Sequence, residues 1–109
     1  ATMSVIKRLT EYFAGLPARS SRWPAVRGAH LKRNPTCAAC GSSDKLEVHH
    51  VRPFHLFPFL ELEPNNLLTL CENGGNCHIM LGHLKNWKSY NLQVRQDAEV
   101  LLQKIKARP

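Results

Sequence analysis

Apolar positions along the chain are spaced first for helices, then for two short strands, then for helices again. From Val5 to Gly15 they fit a short amphipathic helix, stopped by Gly15 with Pro17 just beyond. Ser20-Ser21 can cap a second helix, with Pro24 near its first turn, and Asn34-Pro35 ends it. Trp23, Val26, Ala29 and Leu31 are its candidates for packing, while Arg22, Arg27, Lys32 and Arg33 make its other side basic. Cys37-Ala38-Ala39-Cys40-Gly41 and Ser42-Ser43-Asp44 read as turns. They lead into Leu46-Glu47-Val48-His49-His50-Val51, a strand bounded by Pro53, and Leu67-Leu68-Thr69-Leu70-Cys71 has the same character. Residues 52–66 between them hold three prolines with Phe54, Phe57 and Phe59, which predicts an ordered loop packed by its own aromatics. After Asn73-Gly74-Gly75-Asn76, residues 77–87 have helical character, with Ile79, Met80, Leu81 and Leu84 apolar. A last helix, about residues 94–107, carries Val94, Ala98, Leu101, Leu102 and Ile105 on one stripe and Lys104, Lys106 and Arg108 near its end.

Length limits what these elements can build. At 109 residues the chain is one domain's worth, able to bury about two-thirds of its unfolded surface, so the core is modest. There is no internal repeat or low-complexity tract, and no apolar window long enough to span a membrane. Ala1-Thr2-Met3-Ser4 has no apolar run behind a basic end, so no signal peptide is expected and the predicted location is cytoplasmic, not secreted.

Charge changes the picture more. Fifteen Lys and Arg against eight Asp and Glu give +7, and the excess is uneven. Residues 1–36 carry seven bases against Glu11 alone (+6), residues 37–83 two bases against five acids (−3), and residues 84–109 six against two (+4). All four Cys and five of the six His lie in the acidic middle, with only His30 outside. A chain this basic commonly meets a polyanion, although basic faces also serve solubility alone.

The cysteines form two groups, Cys37-x2-Cys40 and Cys71-x5-Cys77. Four thiolates suit a tetrahedral zinc site, which would be structural because it leaves no open position. A disulfide pair and free core thiols are the alternatives, and nothing signals the secretion that would favour disulfides. His49 and His50 are adjacent on a predicted strand, so they point to opposite faces. One can bind a metal while the other faces a substrate. With Asn66 before the second strand and His78 opening the next helix, three polar groups converge on one ββα unit.

These residues resemble the HNH endonucleases of the ββα-metal nuclease group. The resemblance covers about Arg22 to Leu84, carried by Cys37-x-x-Cys40-Gly41, Leu46-Glu-Val-His-His50, Asn66-Leu-Leu-Thr-Leu-Cys71 and Cys77-His78. In that family the motif Asn lies nine positions before the final His. Here Asn66 and His78 are twelve apart, and the three extra residues between Cys71 and Cys77 account for the difference.

The resemblance implies an α+β fold, a small zinc-stabilised ββα-metal core with flanking helices. The single domain 1–109 would divide into a basic arm (1–36), a zinc-stapled core (37–87) and a C-terminal helix (88–109). It implies DNA phosphodiester hydrolysis with little sequence preference, His50 as general base and Asn66 as the residue holding the base's loop and imidazole. It further implies His49 and His78 as ligands of one catalytic divalent ion, Mg, Mn, Ni or Zn, and Cys37, Cys40, Cys71 and Cys77 around a structural zinc. His83 is a candidate third ligand, although five positions from His78 is not the four that stack on an α-helix face; His55 is a weaker one. Arg22, Arg27, Lys32, Arg33, Lys85 and Lys88 are the candidate DNA contacts. Trp87 and Tyr90 are assigned to packing of the terminal helix. DNA is the expected partner, with no membrane and no small-molecule cofactor, in a bacterial cell or phage-infected host. Compact domains of this kind occur in phage packaging, mobile elements, restriction and toxins. A non-catalytic zinc module binding DNA or RNA would need the cysteines and bases but has no use for His49, His50, Asn66 and His78 together.

Overall fold

The computed structural model describes residues 18–109, and the helix expected over residues 5–15 lies outside them. The first described helix, α1, spans Trp23–Arg33. It starts without a side-chain cap: Ser20 Oγ accepts the Arg22 N–H at 3.1 Å, so Ser20 shapes the approaching turn rather than capping. The helix ends where the Asn34 backbone N–H (2.8 Å) and Nδ2 (3.1 Å) both donate to the His30 carbonyl. Its apolar contact is shallow. Trp23, Val26 and Leu31 are half-buried, Ala29 is exposed, and His30 is the residue that goes inside.

Two strands, β1 (Leu46–His50) and β2 (Leu67–Cys71), pair antiparallel, with Leu46 opposite Cys71, His49 opposite Leu68 and His50 opposite Leu67. Every residue of β2 is buried, because α1 and the segment after Cys77 both pack on the hairpin. β1 stops one residue short of the predicted run. The Val51 N–H still bonds the Asn66 carbonyl (2.8 Å) in the same register, and this bond closes the base of the long loop.

That loop contains two 3₁₀ turns, Pro58–Leu60 and Pro64–Asn66. Phe57 and Phe59 meet edge to face at 6.2 Å, as aromatic pairs prefer. Phe54 does not join them but lies under the Arg19 guanidinium, 4.4 Å from its ring centre.

The helix expected over residues 77–87 is much shorter, a single wide π turn at His78–Gly82. Leu84 (φ 52°) and Lys85 (φ 71°) are left-handed, a conformation that ends any right-handed helix, and the Lys85 N–H closes onto the Ile79 carbonyl at 2.8 Å. The last helix, α2, spans Val94–Lys106 and buries Val94 and Ala98. The core comprises Cys37, Ala39, Leu68, Leu70, Cys71, Cys77, Val94 and Ala98. Three of its members are cysteines, so the core and the cysteine cluster are one feature. The fold is α+β, and no described helix is long and apolar enough to cross a membrane.

Candidate metal centre

The two cysteine groups come together. One sulfur from each of Cys37, Cys40, Cys71 and Cys77 lies within 4.8 Å of the others, and none of the four is in a disulfide. Cys37-x2-Cys40 forms a knuckle: the Cys40 N–H points at Cys37 Sγ (3.5 Å), and Gly41 takes φ +81°, where a side chain would be strained. The Ala38 N–H bonds the Thr69 carbonyl at 2.9 Å, which fastens the knuckle to β2. Burial pushes Cys40 and Cys77 up, and repulsion from neighbouring sulfurs adds to it; burial acts on Cys37 too, but the N–H groups of Cys40, Ala39 and Cys71 outweigh it and hold Cys37 down. Four thiolates this enclosed repel one another unless a cation sits among them, which is the chemistry of a tetrahedral metal site.

The second cluster joins His49, His78 and His83, each offering a ring nitrogen within 4.8 Å of the others. The π turn explains His83. An α-helix places i and i+4 on one face, whereas the wider π turn brings i and i+5 together, so His78 and His83 meet at 4.9 Å between ring centres. Their Nδ1 atoms are already engaged, His78 with Glu72 Oε2 (2.9 Å) and His83 with the Ser89 carbonyl (2.8 Å), leaving Nε2 of each for an ion. His49 is 1% exposed and its Nε2 is buried with no hydrogen-bond partner among the described residues, an orphan that a metal would satisfy. Burial, reinforced by His78, His83 and His50, holds His49 down at about 3, and burial also lowers His83. His49 and His83 are therefore neutral at pH 7 with lone pairs available. Gly82 is required here, because a Cβ on it would come within 2.9 Å of the His49 ring.

His50 takes a different environment from its neighbour. Its Nε2 lies 2.9 Å from the Glu61 backbone carbonyl, and its ring packs against Trp23 at 4.6 Å. A carbonyl only accepts, so Nε2 must carry the proton and Nδ1 is left as a base. Burial pushes His50 down to about 4 despite the opposing carbonyl bond, with Arg19 adding to the lowering. Asn66, 7% exposed, accepts the Arg52 N–H (2.8 Å) and donates to the carbonyls of Arg52 (3.1 Å) and Leu60 (3.2 Å). It clamps both ends of the long loop; the Glu61 carbonyl rather than Asn66 holds the imidazole.

A pocket of about 340 Å³ opens over both histidine environments, lined among others by Arg19, His49, His50, Phe54, His78, His83 and Trp87. Arg19 carries no sequence signal, yet its Nε pairs with Glu61 Oε2 (3.3 Å), and Glu61 Oε1 accepts the Ser20 N–H (3.0 Å). Glu61, 1% exposed, thus ties the start of α1 and the His50 imidazole to one loop residue. Trp87 packs on His78 (5.1 Å) and His83 (4.8 Å). Asn91, also unsuspected from sequence, donates to the Leu81 carbonyl (3.1 Å) and to Asp97 Oδ2 (2.7 Å), joining the π turn to α2. His55 lines the pocket but stays exposed. Among the candidate DNA contacts, Arg27 pairs with Glu47 of β1 (3.2 Å), whereas Arg22, Lys32, Arg33, Lys85 and Lys88 are exposed.

Residues 37–84 match the HNH endonuclease family. No curated protein and no solved structure matches the chain.

Proposed function

Starting from the HNH endonuclease domain at residues 37–84, we propose that this protein is a metal-dependent endonuclease hydrolysing phosphodiester bonds of double-stranded DNA with little sequence preference. The observation that carries the reading is the split between adjacent histidines. His49 joins His78 and His83 in a nitrogen cluster, while His50 keeps an Nδ1 lone pair at the same pocket. His49, His78 and His83 would hold a divalent ion, which when bound would supply Lewis acidity at the scissile phosphate and offset charge on the leaving 3′ oxygen. Three imidazoles favour Zn or Ni over Mg, which prefers oxygen ligands. Cys37, Cys40, Cys71 and Cys77 would hold a structural zinc that replaces core the small chain lacks.

The remaining steps belong to the chain's own groups. His50 Nδ1 takes a proton from the attacking water, and the Glu61 carbonyl keeps its tautomer and angle fixed. Asn66 secures the loop that carries Glu61. Arg19, anchored by Glu61, presents a guanidinium at the pocket wall, suited to a phosphate oxygen. Arg22, Lys32, Arg33, Lys85 and Lys88 supply backbone contacts whose strength falls steeply with salt.

A plasmid-relaxation assay over Mg, Mn, Ni and Zn tests the reading: supercoiled DNA should be nicked or cut, and chelation should abolish this. His50→Ala should retain zinc and DNA affinity while cleavage falls about 10²- to 10⁴-fold. Intact plasmid with every metal, from a folded and zinc-replete sample, would replace the nuclease with a DNA- or RNA-binding zinc module.

A further inference from the structure

A second cavity, of about 260 Å³, lies where the end of α1 meets β2 and α2, and the proposed chemistry makes no use of it. Its walls include His30, Arg33, Thr36, Thr69 and Arg95. It borders β2, whereas the histidine pocket borders β1, so the two sites flank the two strands of one hairpin.

The cavity is cationic and unneutralised. Neither Arg33 nor Arg95 forms an ion pair with a carboxylate among the described residues. Arg95 is held in place: its Nη2 donates to the carbonyls of Asn65 (3.0 Å) and Leu67 (3.2 Å), which leaves Nη1 and Nε to meet a ligand. His30 is 6% exposed, and its Nε2 is buried with no hydrogen-bond partner among the described residues. The negative end of α1 is muted, since the His30 carbonyl already accepts two donors from Asn34. Two guanidinium groups on one small cavity repel each other unless an anion lies between them, and their planar forks match phosphate oxygens.

We infer that this cavity binds a phosphate group, gripped by Arg33 and Arg95 with His30 as a hydrogen-bonding partner. The phosphate is either a backbone phosphate of DNA, which rests on the nuclease reading, or free inorganic phosphate, which does not. The site is separate from the scissile position, so it serves affinity rather than hydrolysis.

Two measurements on the zinc-loaded full chain decide it. Inorganic phosphate is titrated against chloride at matched ionic strength while amide and imidazole NMR signals of His30, Thr36 and Thr69 are followed. Saturable shifts are expected in the wild type and not in Arg33→Gln/Arg95→Gln. Duplex binding is then measured in a His50→Ala background, so that the DNA stays intact. The double variant should lose about tenfold or more in affinity, and its salt dependence should flatten by about one unit of slope. Lys104→Gln/Lys106→Gln, which removes the same charge from the far end of α2, should lose less. Because Arg95 also bonds to backbone, Arg33→Gln alone keeps the test valid if the double variant misfolds. Shifts with a loss of DNA affinity assign the cavity to backbone phosphate; shifts without it assign free phosphate. No shift, together with affinity loss no larger than the lysine control, overturns the site. If the parent protein binds no DNA, the nuclease reading falls and the phosphate titration alone decides the cavity.

Discussion

Two adjacent histidines differ in chemistry because a strand turns successive side chains to opposite sides. His49 goes inward to His78 and His83, and His50 goes to the Glu61 carbonyl. A glycine makes the first arrangement possible. Gly82→Ala would drive a methyl group into the His49 ring, so its metal affinity should fall on the order of ten- to a hundredfold, as for other changes that disturb ligand orientation. Isothermal titration with Zn or Ni checks this, and an unchanged affinity would show that the ring can move aside. His30 offers a pH test away from both metal sites. Burial, then Arg33 and Arg95, lower its proton affinity below that of an unfolded-chain histidine. Its contribution is therefore complete above about pH 6.5 and is lost as pH falls below that value, because the unfolded chain takes the proton more readily. Urea unfolding from pH 7.5 to 5 should show His30→Gln losing less stability on acidification than the wild type; parallel curves would contradict it.

At the scale of elements, the loop between the strands and the π turn do most of the positioning. Asn66 joins the loop's two ends with two hydrogen bonds and reaches its middle with a third while 7% exposed, and removing it strands the Arg52 N–H and two carbonyls. Asn66→Ala should cost about 2–3 kcal/mol of stability by denaturant titration. Cleavage should fall further than stability accounts for, since the Glu61 carbonyl that aims His50 rides on the same loop. The turn leading into β1 holds a strained position that can be relieved. Lys45 has φ 50°, and Lys45→Gly should raise stability by about 0.5–1 kcal/mol, the left-handed penalty less the extra entropy of glycine in the unfolded chain. The π turn was hidden in the sequence because residues 77–87 have ordinary helical composition. Its width follows from tertiary contacts, namely the bond of the Asn91 N–H to the Gly82 carbonyl (3.2 Å) and the left-handed Leu84 and Lys85.

For the molecule as a whole, the cysteine cluster and the hydrophobic core coincide. Cys71→Ser should therefore damage folding before chemistry: circular dichroism should show loss of ordered structure, and DNA binding and cleavage should disappear together. The opposite pattern, a folded protein with lost cleavage only, would move the cysteines from structure to catalysis. The basic surplus surrounds this core. Positive charge on α1 and after His83 flanks a middle segment that is itself slightly acidic and rich in ligands.

While the α+β class came with the family resemblance, the sequence by itself determined both strands and their approximate ends, α1 and α2, and the grouping of the four cysteines. These rest on local periodicity, turn residues and ligand spacing, which are written in consecutive positions. Only the tertiary structure decided that His83 joins His49 and His78, that Glu61 rather than Asn66 holds the His50 ring, and that Arg19 and Trp87 wall the pocket. Each of these depends on residues far apart in the chain meeting across the hairpin. A backbone carbonyl, a π turn and a buried glutamate have no signature that depends on neighbouring residue types, so packing alone brings them to the site.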